Sequence, residues 1–301
     1  MKSTVILCTR NRLKEAIRFS KSLYSQSRLP EEYIIVDSST DKLLDKAEFN
    51  DEVLNILPKI DKKYIHSGPG LPYQRNIGIS NATKEIIYFF DDDVILEPTY
   101  LEEMNKIYDS EPQYGGGMGA FIKIGKPGFL KKVNLALRTF FMLQRDFGDG
   151  KFRPSGFPQH AFGVEEFLEV EAVGGACFSF RKAVVDEFRF DEKMKAYASQ
   201  EDVDYSKRVS EKYKLFYNPK ALCEHRHAYG GRGNLVGNRK MYIFNFRYLF
   251  FKNFYNKRQG SLIAHWWAIL GLIVMSLSIR KAYGYILGLI EFRRMKKELY
   301  K

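Results

Sequence analysis

Short apolar runs that end in polar residues recur along the first 90 residues, and each predicts a buried strand. The clearest is Ile86–Phe90, five apolar residues followed directly by Asp91–Asp93. Shorter runs of the same kind lie at 4–8, 33–36 and 64–66, with helical spacing of apolar residues over 16–23 and 75–79 between them. Strands that alternate with helices predict a mostly parallel α/β sheet, whose ligands bind beyond the carboxyl ends of the strands.

Beyond Pro98 the pattern becomes irregular. Gly115–Gly119 lacks the spacing of a dinucleotide-binding loop, so turns or an edge strand are predicted there. The Gly- and Pro-punctuated stretch 125–163 predicts a long insertion. Apolar residues over 133–143 predict an amphipathic helix within it; we expect this helix to pack on the core, and a membrane-facing lid is the alternative. Further strands are predicted at 176–180 and 215–217, and a helix over 199–211.

The three adjacent carboxylates Asp91–Asp93 are the strongest chemical feature of the chain. Like charges at this spacing repel unless a cation lies among them. Carboxylate oxygens suit Mg²⁺ or Mn²⁺, ions that usually hold nucleotide phosphates rather than sit in an all-protein cage. A solvated acidic turn is the alternative for the triplet taken alone.

A second acidic pair, Glu201–Asp202, begins a predicted helix more than 100 residues later. Ser199 and Asp202 have the spacing of a helix capping box, and acids in a first helical turn are favoured by the helix dipole. A carboxylate at the same place can also take a proton from a reacting hydroxyl. A helix that starts beside a substrate can serve both purposes.

The formal net charge of +12 lies entirely in the last 70 residues, where 14 Lys and Arg face two Glu. Apolar and basic residues interleave there, which is typical of a segment on an anionic membrane surface. A nucleic-acid partner is not expected, because the aliphatic run 262–279 fits lipid or core better than a base-stacking groove. The three cysteines form no CxxC pair, and the first strand is too short and too close to arginines for a signal peptide, so we expect a cytoplasmic protein.

The run 262–279 contains no charged residue, and basic residues stand shortly before and directly after it. Its 18 residues would extend about 27 Å as a helix, which is marginal for a bilayer core of about 30 Å. Basic residues stand on both sides, so the sequence predicts no orientation. A single span through 259–290, a helix lying in the membrane plane, and a buried core or dimer helix all remain open.

Six segments in this order resemble the inverting glycosyltransferases of family two, which have the A-type fold of nucleotide-diphospho-sugar transferases. The resemblance covers about Ser3 to His227. The matching segments are TVILCTRNR at 4–12, IIVDSST at 34–40, LPYQRNIGISNA at 71–82, IIYFFDDDV at 86–94, VGGACFSFRKAVV at 173–185 and SQEDVDYSKRV at 199–209.

The resemblance implies a role for each matching site residue. Asp202 would be the catalytic base, with Glu201 beside it, and Gly174 and Gly175 would let the acceptor approach the backbone. Asp93 would bind Mn²⁺ or Mg²⁺, with His225 as a further metal ligand and His227 as second choice. Asp37 would contact the base of the nucleotide and Arg75 the diphosphate. The nucleotide-sugar site as a whole would comprise Thr9, Arg12, Asp37, Arg75, Asn76, Asp91 and Asp92.

The predicted protein is therefore a single A-type α/β domain with a basic, apolar, helical C-terminal extension. Its nucleotide-sugar half would span 1–115, its acceptor and catalytic half 116–231, and a membrane-associating tail 232–301. We expect it to transfer a sugar, with inversion, from a nucleotide-diphosphate sugar to a glycan or lipid-linked acceptor at the cytoplasmic face of the cell membrane. A sugar-phosphate nucleotidyltransferase and a catalytically inactive membrane- or carbohydrate-binding scaffold are the alternatives.

Overall fold

The structure of the chain is a computed structural model that describes residues 1–55, 60–122, 126–194, 198–226, 234–257 and 260–299. The strands are β1 (Ser3–Thr9), β2 (Glu32–Asp37), β3 (Asp61–His66), β4 (Ile86–Asp91), β5 (Val94–Leu96), β6 (Tyr114–Phe121), β7 (Leu168–Val170), β8 (Cys177–Arg181) and β9 (Lys214–His225). The helices are α1 (Leu13–Tyr24), α2 (Ala47–Phe49), α3 (Leu71–Asn81), α4 (Tyr100–Ser110), α5 (Phe129–Phe140), α6 (Lys182–Glu187), α7 (Glu201–Ser210), α8 (Leu235–Asn253), α9 (Leu262–Val274) and α10 (Ile279–Leu299).

Within these ranges the strands form one sheet in the order β3-β2-β1-β4-β8-β6-β9-β5, with β7 paired to β9. The first four strands are parallel, as the alternation of strands and helices predicts. β6 and β9 are also parallel, whereas β8 runs antiparallel to both β4 and β6. The register pairs Thr9 with Asp37 and Cys8 with Asp91, so the polar ends of three strands meet at one edge of the sheet. The predicted α/β fold with flanking helices is confirmed.

The glycine-rich stretch 115–119 is an interior strand, not the turns or edge strand that we predicted. It lies within β6, between β8 and β9. A Cβ atom at Gly117 would stand 2.6 Å from the ring of Phe216, and one at Gly119 would overlap the Ala221 carbonyl. Glycine is needed here because neighbouring rings and backbone fill the space that a side chain would take.

The amphipathic helix predicted within 133–143 exists as α5, but our expectation that it packs on the core is wrong. No side chain of α5 is buried. Phe129 and Leu130 are 80% and 82% exposed. The end of the helix meets the C-terminal region, where the Trp267 indole donates to the Phe140 carbonyl at 2.8 Å. The apolar face of α5 is therefore left open to the surroundings.

The C-terminal helices pack against α7 and against one another. Asp204 of α7 is completely buried and accepts hydrogen bonds from Asn253 and Lys252 of α8 at 2.9 and 3.0 Å. Phe292 of α10 packs edge-on against Phe244 of α8, with ring centroids 5.7 Å apart. None of the helices in the described ranges combines the length and hydropathy that crossing a bilayer requires.

Candidate active site

A cavity of about 370 Å³ lies beside the carboxyl ends of β4 and β9 and the start of α7. Asp91, Glu201, Asp202 and His225 border it on this side. The cavity thus brings together two acidic clusters that are more than 100 residues apart in the sequence. Parallel strands that end at one edge of the sheet explain how the chain achieves this.

Asp202 is held in the cavity wall by two backbone donors. The Gly175 N–H donates to Oδ2 at 2.5 Å, and the Val203 N–H donates to Oδ1 at 2.8 Å. Gly174 has φ +151°, and a Cβ atom there would overlap the Asp202 carboxylate. The capping box is not formed, because Gln200 precedes the first helical residue and no side chain caps α7. The orientation of Asp202 is therefore set by the glycine pair.

Arg75 bridges two acids rather than pointing into the open cavity. It is 2% exposed, its Nη1 donates to Glu201 at 2.5 Å, and its Nη2 donates to Asp91 at 3.2 Å. Burial alone would lower the pKa of Arg75, but the charges of Glu201 and Asp91 raise it above its ordinary value. Burial and the Asp202 charge raise the pKa of Glu201, and Arg75 opposes that shift. The guanidinium thus holds the two carboxylates together, in place of the expected diphosphate contact.

Asp92 is tied to the loop that follows β1. Thr9 Oγ1 donates to Oδ2 at 2.8 Å, and Arg12 Nη1 donates to Oδ1 at 2.7 Å. Burial raises the pKa of Asp92 to about 7, although the charge of Arg12 opposes the shift. Thr9, Arg12 and Asp92 are therefore brought together as the sequence predicts, and they fix the first loop against the acidic triplet.

Asp93 and His225 stand side by side. His225 Nε2 lies 3.1 Å from Asp93 Oδ1, and Arg12 Nη1 lies 3.6 Å from Asp93 Oδ2. A carboxylate oxygen and an imidazole nitrogen are donors that Mn²⁺ accepts. The described residues contain no group of three His, Cys, Asp or Glu side chains able to hold a metal. A bound ion would therefore complete its shell from donor phosphates and water, which is usual for Mg²⁺ and Mn²⁺ sites. His227 lies outside the described residues.

Two expected nucleotide ligands have other partners in the structure. The Asp37 carboxylate is fully buried and accepts four hydrogen bonds, from the Ser39 N–H and hydroxyl, the Leu43 N–H and the Tyr64 hydroxyl. Its lone pairs are used in shaping the loop after β2, which leaves none for a base. Asn76 bonds both the Phe190 backbone and the Glu192 side chain, so it anchors the segment after α6 instead of facing the cavity.

The far wall of the cavity consists of residues that the sequence did not single out. Arg145 and His160 come from the insertion, and Arg239 and Tyr242 come from α8. The insertion has no recognisable motif, and α8 follows the last segment that resembles the family. No pattern in the sequence marks these side chains as part of the site.

Comparisons with known proteins agree with this fold. The sequence model of the family described as Glycosyl transferase family 2 matches residues 4–189. The structure is similar to TarS 1–349 of S. aureus, with TM-score 0.57 and 14% identity over 97% of this chain and 80% of that chain. It is also similar to GalNAc-T7 with UDP, GalNAc and Mn²⁺, with TM-score 0.60 and 12% identity over 90% of this chain and 54% of that chain.

A mannosyltransferase, PcManGT of Pyrobaculum calidifontis in complex with GDP-Man and Mn²⁺, superposes with TM-score 0.58 and 16% identity over 99% of this chain and 84% of that chain. At these identities the likeness shows the A-type fold alone. No curated protein sequence matches the chain. Because the family match spans more than half of the chain, this protein belongs to glycosyl transferase family 2.

Proposed function

We propose that this chain is a metal-assisted, inverting glycosyltransferase that moves a sugar from a nucleotide-diphosphate sugar to an acceptor hydroxyl. The observation that carries the proposal is a single cavity bordered by Asp202 and Asp91, with the Asp93–His225 pair beside it. Inversion needs a base on the face of the sugar opposite the leaving diphosphate. Two separate acidic groups at one cavity meet that requirement.

Asp202 is the proposed base. Its carboxylate accepts the acceptor proton as the hydroxyl oxygen attacks the anomeric carbon, and the bond from that carbon to the diphosphate oxygen breaks. The Gly175 and Val203 N–H groups hold both carboxylate oxygens in place, so the base is oriented before the substrate arrives. Each oxygen keeps a lone pair that can face the cavity. Glu201 acts indirectly in this proposal, by holding Arg75.

The donor diphosphate is proposed to lie at Asp93 and His225. A Mn²⁺ or Mg²⁺ ion bound there would supply Lewis-acid stabilisation of the leaving group. Arg12, 3.6 Å from Asp93, adds positive charge on the same side. The carboxylate of Asp93 and the imidazole of His225 are ligands that suit such a divalent ion.

Nucleotide binding should therefore depend on the metal. With Mn²⁺ and a nucleotide sugar at about 100 times its Kd, binding should add about 2.7 kcal/mol and raise Tm by about 4 °C. We expect a screen of UDP-, GDP- and dTDP-sugars by thermal shift to find such a donor. EDTA should remove most of the shift, and so should Asp93→Ala. An equal shift in EDTA would contradict a metal at this pair.

The two alternative functions, a sugar-phosphate nucleotidyltransferase and an inactive scaffold, fit the residues at the cavity less well. A sugar-phosphate nucleotidyltransferase would want a glycine-rich loop after the first strand, and the segment Thr9–Arg12 contains no glycine. An inactive scaffold has no need of a carboxylate held by two backbone donors at a cavity. Release of nucleoside diphosphate from the donor separates the enzyme from the scaffold.

We further propose that the protein docks on the cytoplasmic membrane face and uses a lipid-linked or cell-surface glycan as acceptor. The open face of α5 and the outer side of α9 are apolar, with Leu130 82%, Ile263 86% and Trp266 47% exposed. α5 also carries Lys131, Lys132 and Arg138, and neither helix contains an acid. Apolar side chains flanked by basic ones fit an anionic lipid surface, with the helices lying in its plane.

Flotation on vesicles tests this surface. The full chain should float with vesicles that contain phosphatidylglycerol and much less with phosphatidylcholine alone. The substitutions L130D, I263D and L277D together should reduce flotation at least tenfold, because each side chain is more than 80% exposed and burying it contributes about 1.5–3 kcal/mol. L44D, at an exposed leucine near the other end of the chain, is the matched control. Equal flotation of the triple variant and wild type would remove the membrane proposal.

A further inference from the structure

The far wall of the cavity, from the insertion and α8, carries the polar residues Arg145, His160, Arg239 and Tyr242 among the apolar residues Phe157, Pro158 and Met241. Gln200, two residues before Asp202, adjoins this wall. Asp91 and His225 lie on the donor side of the same cavity. A molecule that presents a hydroxyl to Asp202 must therefore touch this wall with its remaining groups.

Two buried atoms of the wall have no hydrogen-bond partner among the described residues. They are His160 Nδ1 and Gln200 Oε1, on side chains that are 5% and 9% exposed. The His160 ring stacks on Phe162, with centroids 4.9 Å apart. A neutral imidazole has one nitrogen that accepts a hydrogen bond, and the unpartnered Nδ1 can supply it. Burial lowers the pKa of His160 to about 4, so the ring is neutral at pH 7.

Gln200 provides the second of these atoms. Its backbone has φ +80°, and its side chain borders the cavity together with Tyr242. Both unpaired atoms are acceptors, and unpaired buried acceptors are rare unless a ligand or water completes them. Their natural complement is a molecule with several hydroxyl donors, such as a sugar ring.

The two arginines of the wall add positive charge with little to neutralise it. The ion contact of Arg145 among the described residues is a distant one, 4.0 Å to Asp146. Arg239 has no described carboxylate within ion-pair distance, and its Nε is buried without a partner in those ranges. Its guanidinium lies 6.0 Å from the Tyr285 ring centroid.

We propose that this wall is an acceptor subsite for a sugar that carries an anionic group, a phosphate or a carboxylate, near the attacked hydroxyl. Arg145 and Arg239 bind the anion, and His160 and Gln200 accept hydrogen bonds from ring hydroxyls. The inference rests on the proposed function and adds the acceptor class. Guanidinium groups suit both phosphate and carboxylate oxygens, so a sugar phosphate of a lipid-linked acceptor and a uronic acid of a glycan share this chemistry.

Binding of matched sugar pairs tests the proposal. Ligand-observed NMR would be run on the full chain with Mn²⁺ and the nucleoside diphosphate selected by the thermal-shift screen. The probes are glucose 1-phosphate and galactose 1-phosphate, glucuronate and galacturonate, each against the methyl glycoside of the same sugar. At least one anionic probe should bind fivefold or more tightly than its neutral partner. Phosphate and uronate probes distinguish the two sources of the anion.

The variant R145Q/R239Q should reduce that preference to less than twofold, whereas Arg280→Gln, at an exposed arginine outside the cavity, should keep it. His160→Phe should weaken the anionic and neutral members of a pair alike. A panel without anionic preference, including one in which no probe binds, overturns the proposal, and so does a preference that survives R145Q/R239Q. Nucleotide binding by the same samples shows whether the proposed function itself has failed.

Discussion

Asp202→Asn should lower the rate of sugar transfer by about 10²–10⁴-fold, the usual contribution of a general base. Asparagine has nearly the same shape, and its oxygen can still accept the Gly175 N–H bond while the Val203 N–H bond is lost, but its amide cannot take the acceptor proton. Metal-dependent nucleotide binding and Tm should stay close to those of wild type. The measurement is the release of nucleoside diphosphate from the donor, with water or a sugar as acceptor.

Two companion variants sharpen this test. Asp186→Asn, at a half-exposed aspartate of α6 paired with Lys182, should leave the rate unchanged. Gly174→Ala should reduce the rate while keeping Asp202 itself, because the added Cβ would overlap the carboxylate and φ +151° is unfavourable for alanine. A transfer rate within threefold of wild type in Asp202→Asn would exclude the assigned role.

Arg75→Met should destabilise the fold by about 3 kcal/mol or more, because it leaves Glu201 and Asp91 without the cation that bridges them. Methionine keeps most of the apolar packing against Phe178 and Phe190, whose ring centroids lie 5.0 and 5.2 Å from the guanidinium carbon. The loss should be measured as the change in the free energy of unfolding in urea.

The cost should be greater at pH 8 than at pH 6. The pKa of Glu201 is already raised in the fold, and removal of Arg75 raises it further. Between the unfolded and the folded pKa the native state binds more protons, so the wild type loses stability with rising pH until its folded pKa of about 8, whereas Arg75→Met continues to lose stability above that pH. The double variant R75M/E201Q should recover part of the loss. Unchanged stability with lost donor binding would instead support the diphosphate contact expected from the sequence.

Elements whose apolar pattern is strong could be predicted from the sequence. Ile86–Phe90 is a buried strand, and Asp91 and Asp202 do border one cavity, with Asp93 beside His225. The strand β6 was not predicted, because a run of glycines shows no alternation of apolar and polar residues. Aromatic rings from other strands, such as Phe216, pack closely against these glycines. The amphipathic pattern of α5 predicts a helix, but it cannot say what covers the apolar face.

The partners of individual side chains were the least predictable part of the site. Arg75 and Glu201 are 126 residues apart, and nothing local to either marks the pair. The partners of Asp37 could not be predicted either, because its carboxylate accepts hydrogen bonds from three residues at different places in the chain. Motifs identify which residues gather at the sheet edge. Which donor forms a hydrogen bond with each carboxylate oxygen depends on the tertiary structure.

The two ends of helix α8 have different surroundings, and the first part of the helix lies at the cavity. Its last turn is anchored on Asp204, and its first turns contribute Arg239 and Tyr242. It lies outside the segment 4–189 that the family shares. Under the proposed acceptor role, a change in this helix would alter which alcohol is glycosylated and would leave the residues at the ends of β1 and β4 unchanged. Hybrid enzymes made by exchanging α8 between relatives should inherit acceptor preference from the parent that supplies the helix.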